Sequence, residues 1–276
     1  MSDSGPLDRA SLLETMVQLA IEAGAVVWDH FRRGVPVAHK ADDSPVTAAD
    51  HASKALILSG LARACPQLPV VAEEEAAAGR IPDVSLAFLL VDPLDGTKEF
   101  IRGGTDFTVN IALIEASLPS LGVVYAPARS ALYWGDAQAG HAWQAQQPPH
   151  QPRAASVLIR VRTPPSALCA VASKSHNTPG TEAWLQAAGV AKRVAIGSSL
   201  KFALIASGAA DVYPRPAPTM EWDTAAGDAL LRAAGGHVYD PDGRPLRYGK
   251  PQYRNSGFVA SGPFQPAPLR PFMATE

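Results

Sequence analysis

A chain of 276 residues with 47% hydrophobic and 18% charged residues is long enough for one large or two ordinary domains around a sizeable core. Its net charge of −2 and scattered lysines and arginines give no basic field for a polymeric nucleic acid. Cys65 and Cys169 stand far apart and alone, which excludes a disulfide framework or a paired-cysteine zinc site and suits a reducing interior.

The opening MSDSGPLDRA lacks the charged-then-apolar pattern of a signal peptide, and Glu14, Glu22 and Asp29 interrupt the apolar stretch that follows, so no transmembrane segment is expected. The reading is a soluble, cytoplasmic protein, monomer or homodimer, with peripheral attachment to the cytoplasmic face of the inner membrane left open. Leu12, Leu13, Met16, Leu19, Ala20, Ala23, Val26 and Val27 recur at helical spacing and predict an amphipathic first helix, opened by a Ser11–Glu14 capping box. A second helix is predicted from Ala48 to Ala64, before Pro66, followed by the strand LPVVAEEE, a loop, the strand LAFLLV and the turn DPLDGT. FTVNIALIE and SLGVVYAP read as antiparallel strands, and ALYWGD with GHAWQA as a hairpin around Ala137 to Gly140.

The Gln- and Pro-rich stretch QAQQPPHQPRAAS is the best boundary, dividing an N-terminal α+β domain, 1–152, from a C-terminal α/β domain, 153–276. Beyond it the strands ALCAVAS, RVAIG and ADVYPR alternate with the helices GTEAWLQAAG, SLKFALIASG and DTAAGDALLRAAGG. That alternation predicts a layered α/β arrangement with some parallel pairing.

Acidic residues fall where these elements end: Glu73, Glu74 and Glu75 after LPVVA, Asp92 and Asp95 after LAFLLV, and Asp223 in MEWDTAAG. Each has an ordinary reading, as a solvated loop, a proline turn or a helix N-cap. Glu73 differs because an apolar strand aims it inward. Carboxylates without histidine or cysteine suit a hard cation such as Mg²⁺. Pro93 would hold both aspartates and the Leu94 carbonyl toward one point, and Gly96 and Thr97 would begin a helical turn whose free N–H groups cradle an anion.

DPLDGT resembles the metal-binding signature of the inositol monophosphatase superfamily, and EWDTAAGDALLRAAGG resembles its second signature. SPVTAAD at 44–50 and the Glu73–Glu74 pair stand in the expected order, so the resemblance covers nearly the whole chain. DGTKEF, ASKSHN, SSLKF and VYPR are similar to the bacterial CysQ-type 3'(2'),5'-bisphosphate nucleotidases within that superfamily. The resemblance implies a layered αβαβα sandwich and hydrolysis of adenosine 3',5'-bisphosphate, and of its sulfated analogue, to release phosphate in sulfur assimilation, with sensitivity to lithium. It implies two or three Mg²⁺ ions on Glu73, Asp92, Asp95, Asp223 and the Leu94 carbonyl. Thr97, with Glu73 nearby, would hold the attacking water and pass its proton toward Asp50.

For substrate, the resemblance implies contacts from Gly96, Thr97 and Asp223 to the cleaved phosphate, and a cationic pocket of His176, Ser198, Lys201 and Arg215 for the second. Arg215 between Pro214 and Pro216 would be a fixed, planar donor. The rival readings are a broad inositol or fructose phosphate phosphatase and a catalytically silent phosphonucleotide sensor.

Overall fold

The computed structural model describes residues 8–34, 37–39, 45–83, 86–173 and 178–273. Helix α1 (Arg9–Arg33) is capped by Asp8, whose carboxylate accepts from Ser11 N–H. The expected Ser11–Glu14 box therefore does not form. Asp8 offers a stronger acceptor three residues earlier, and Glu14 turns outward to Arg153 at 2.8 Å. By length and apolar composition α1 could span a bilayer, but Met16, Val17, Ala20, Ala23 and Val27 are buried in the protein interior, which makes it a core helix.

Short strands β1 (Val37–His39) and β2 (Pro45–Thr47) pair antiparallel and lead into α2 (Ala48–Ala64), which keeps its expected bounds. Strand β3 (Val70–Ala72) stops earlier than expected, because Glu73 to Ala77 form a helical turn, α3. Three glutamates at a helix N-terminus meet its positive end and its free N–H groups, which favours the helix over more strand.

Strand β4 (Ala87–Asp95) runs on through DPLD, where a plain turn was one reading, and its register with the next strand slips between Asp92 and Asp95. After the turn α4 (Thr97–Ile101), strands β5 (Thr108–Glu115), β6 (Leu118–Ala126), β7 (Ala131–Asp136), β8 (His141–Gln146) and β9 (Ser156–Ile159) complete a sheet ordered β3-β4-β5-β6-β7-β8-β9. Only β3 and β4 pair parallel there. Strand β9 lies beyond the Gln/Pro stretch and still belongs to this sheet.

The remaining elements are β10 (Cys169–Ser173), α5 (Pro179–Ala187), β11 (Lys192–Ile196), α6 (Leu200–Ala206), β12 (Val212–Arg215), β13 (Thr219–Met220), α7 (Ala225–Ala233), β14 (His237–Tyr239), β15 (Arg254–Asn255) and β16 (Phe258–Ser261). The second sheet is ordered β11-β10-β12-β16-β14, with β10 parallel to both β11 and β12, as alternating strands and helices predict.

Side-chain alternation along β5 explains the layering. Ile111 and Leu113 join the core under α1 and α2, while Ala112 and Ile114 join the core that also holds α6, α7 and the second sheet. A strand buried on both faces reads as a continuous apolar run instead of an alternating one. Helix α7 lies between two sheets, so nearly all its residues are buried, and alanines dominate because the space is narrow. Trp184 and Leu185 of α5 cover the outer face of the second sheet with Val212 and Val259. The order of layers is α1 and α2, first sheet, α6 and α7, second sheet, α5: the expected αβαβα sandwich.

Candidate active site

Strand β4, α4, α6 and α7 end around one cleft of about 250 Å³, lined by Glu73, Asp95, Thr97, Lys201, Arg215 and Asp223 among others. Gly96 makes the sharp exit from β4 at φ 91, a conformation costly for any residue with a Cβ. Thr97 then starts α4, and its hydroxyl faces two acceptors, the Leu94 carbonyl at 3.1 Å and Asp50 Oδ1 at 3.4 Å. Asp50 is held from its other oxygen: Oδ2 accepts Thr47 N–H at 2.8 Å and Thr47 Oγ at 2.7 Å, in the capping box of α2. One short motif thus caps a helix and fixes a buried carboxylate beside Thr97.

The acids of the cleft crowd one another. Burial pushes the Asp92 carboxyl well above its usual value, and Glu73, Asp95, Asp223 and Glu74 push it further. Asp223 is raised to about 8 by burial and by the charges of Asp95 and Glu73, against the Met220 N–H that donates to it at 2.9 Å. Burial also raises Asp95, opposed by Lys201 and by hydrogen bonds from Ser199 and Asn110. Among the described residues no three acids already stand at the spacing of a finished metal site; mutual charge is what links them. An all-oxygen set of carboxylates that repel one another fits a hard divalent cation, whose charge removes the repulsion. Asp223 is not the helix cap that one reading made it, since Thr224 occupies the N-cap position of α7.

The same cleft also holds cations. Lys201 is buried at 6% exposure, with its ammonium 5.4 Å from the centre of the Tyr213 ring. Burial, with Arg215 adding, lowers its pKa to about 8, against the pull of Asp95, Glu99 and Asp106. Ser198 Oγ and Arg215 Nε are both shut from solvent, and neither atom has a hydrogen-bond partner among the described residues. The structure brings Ser198, Lys201 and Arg215 to this cleft together with Gly96, Thr97, Glu73, Asp95 and Asp223. Asp92 and Leu94 lie buried beneath it, at 2% and 1% exposure. His176 lies outside the described residues.

Sequence reasoning passed over Ser199, Asn110 and Asp106. Ser199 N–H and Oγ donate to Asp95 Oδ2 at 2.7 and 3.1 Å, and Asn110 Nδ2 donates to Ser199 Oγ at 2.9 Å. These side chains join halves of the chain about ninety residues apart, and a local pattern carries no sign of such a contact. The one available signal was the doubled serine in SSLKF.

An inositol monophosphatase family model matches residues 8–268. The chain is 44% identical over 250 residues to the "3'(2'),5'-bisphosphate nucleotidase CysQ" of Salmonella typhimurium, covering 90% of this chain and 98% of that one. Among solved structures, CysQ from Bacteroides thetaiotaomicron aligns with a TM-score of 0.78 at 35% identity, covering 94% of this chain and all of that one. An inositol monophosphatase from Anabaena aligns with a TM-score of 0.72 at 27% identity, covering 92% of each chain. With the layered fold, the acid-rich cleft and these likenesses in hand, the chain belongs to the inositol monophosphatase family.

Proposed function

We propose that the protein is a Mg²⁺-dependent phosphomonoesterase that removes the 3'-phosphate of adenosine 3',5'-bisphosphate, leaving AMP. The relatives named as bisphosphate nucleotidases support this reading. The observation that carries it is the pair of sequestered polar atoms, Ser198 Oγ and Arg215 Nε, which share a cleft with Lys201 and the acids. Buried donors cost free energy when unused, so they mark a place for an anion within that cleft.

Glu73, Asp92, Asp95, Asp223 and the Leu94 carbonyl are the residues that would hold the metal ions. Bound there, Mg²⁺ supplies charge to offset the phosphate oxygens and the leaving alkoxide. The chain's own residues do the rest. Gly96 and Thr97 present the first turn of α4 to the cleaved phosphate. Thr97 Oγ holds the attacking water and relays its proton to Asp50, whose other oxygen is anchored on Thr47. Lys201, Arg215 and Ser198 bind the phosphate that is not cleaved.

A substrate panel with purified protein and Mg²⁺ tests the reading: adenosine 3',5'-bisphosphate, its 2',5' isomer, inositol 1-phosphate and fructose 1,6-bisphosphate. The highest kcat/KM is expected on the adenosine bisphosphates. A preference for inositol 1-phosphate would make the cationic pocket a sugar-phosphate site, and binding without phosphate release would make the protein a sensor.

A further inference from the structure

Asp106 lies between α4 and β5, with a side chain that is 1% exposed. It contacts both halves of the cleft. Its Oδ2 accepts Gly197 N–H at 3.0 Å, while Oδ1 accepts Arg129 Nε at 2.8 Å and is paired with a second guanidinium nitrogen of Arg129. Its backbone and Cβ are wedged between two glycines. A Cβ on Gly96 would stand 2.8 Å from the Asp106 carbonyl oxygen, and one on Gly197 would stand 2.8 Å from Asp106 Cβ. Gly96 separates Asp95 from Thr97, and Gly197 precedes Ser198.

Ser198 itself holds a left-handed backbone at φ 50, which a residue with a Cβ adopts only under constraint. The constraint is visible on either side: Asp106 holds Gly197 by its N–H, and Asp95 holds Ser199 by its N–H and hydroxyl. Stability alone is a poor account of the buried acid, because its cationic partner Arg129 is 40% exposed and a buried carboxylate is costly to desolvate. What an apolar side chain cannot do there is accept the Gly197 N–H while bracing Gly96.

We propose that Asp106 is a positioning residue for specificity: by fixing Gly197 against the Gly96 turn, it sets Ser198 and hence the spacing between the cleaved phosphate and the second anion subsite. The inference rests on the reading of the cleft as a two-phosphate site. Asp106 touches neither phosphate. Its charge also favours the protonated form of Lys201, which serves the same second phosphate, so its effect falls mainly on substrates that carry both.

The test compares kcat/KM for adenosine 3',5'-bisphosphate and adenosine 3'-monophosphate in wild type, Asp106→Asn, Arg129→Met and Arg215→Ala. An asparagine keeps an acceptor on Gly197 only by turning its NH₂ toward the Arg129 guanidinium, so the loop must shift. Asp106→Asn is expected to lower the bisphosphate value about 10-fold, the scale of one hydrogen bond, mainly through KM, with the monophosphate within about twofold of wild type. Arg129→Met, at a half-exposed position, should move the ratio the same way by less, and it decides the matter alone if Asp106→Asn does not fold. If Arg215→Ala changes the ratio while Asp106→Asn or, failing that, Arg129→Met leaves it alone or depresses both substrates equally, Asp106 is only structural and the two-phosphate reading survives. If Arg215→Ala leaves the ratio unchanged as well, the two-phosphate reading has failed and this inference falls with it.

Discussion

Thr97 Oγ stands 3.4 Å from Asp50 Oδ1, while the other oxygen of that carboxylate closes the α2 capping box on Thr47. The same acid therefore serves the helix and the proposed proton path. Thr97→Val keeps the side-chain shape and removes the hydroxyl, so kcat should fall by about 10² to 10⁴ with Tm little changed. Asp50→Asn should lose a similar factor and also about 1 kcal/mol of stability through the weakened cap. The double variant should be no slower than the worse single one, since the two act as a unit. Multiplying losses in single-turnover kinetics would show that they do not form one relay.

Asp92 Oδ1 accepts Leu94 N–H at 3.0 Å, and asparagine can keep that bond while removing the charge. Asp92→Asn should lower kcat by several orders of magnitude. With Mg²⁺ removed by chelator, the variant should melt at or above the wild-type temperature, because one of the mutually repelling acids has gone. A clear drop in Tm under those conditions would mean that the carboxylate is structural. Ca²⁺ in place of Mg²⁺ should inhibit, since its looser coordination misplaces the reacting groups.

Arg215→Ala and Lys201→Ala should each weaken kcat/KM on the bisphosphate by about 10- to 150-fold, the range for a charge-assisted hydrogen bond of roughly 1.5 to 3 kcal/mol. Adenosine 3'-monophosphate never makes that contact and should be hydrolysed nearly as before. Asp95→Asn should damage both substrates alike. An unchanged substrate ratio in both cationic variants would move the second phosphate elsewhere.

Acid stability is set partly outside the cleft, at Asp211. Burial pushes this carboxyl up, but the Arg162 fork, at 2.8 and 2.7 Å, and the Cys169 N–H, at 2.7 Å, outweigh it and hold the pKa below its ordinary value. A depressed carboxyl stabilises the fold fully above its unfolded pKa of about 4, and the contribution disappears as pH falls through the lower folded value. Asp211→Asn should therefore cost stability at pH 7 and progressively less below about pH 4. Urea midpoints for both proteins across that range check this; a constant difference would rule out the titration of Asp211 as its source.

Local sequence reached a long way because its strongest signals are local physics. The 3.6-residue spacing of α1 and the stop that Pro66 sets on α2 act within one or two turns, and the apolar runs of β4 and β5 carry their own evidence of burial. The acids Glu73, Asp92, Asp95 and Asp223 were legible at element ends, whereas Asp50 was reached only through the family resemblance. Where one residue had to choose between two local partners, the sequence was less decisive: Asp8 took the cap offered to Ser11, and Glu73 began a helix at its positive end instead of extending β3. What only the tertiary structure decided was the meeting of distant segments. Ser199 on Asp95, Asp106 on Gly197 and the enclosure of Arg215 Nε depend on two sheets closing over α6 and α7, a packing outcome summed over the whole core. No window of sequence holds that sum: the chain pointed to its acids, and by resemblance to their cationic counterparts, and the fold gathered both into one cleft.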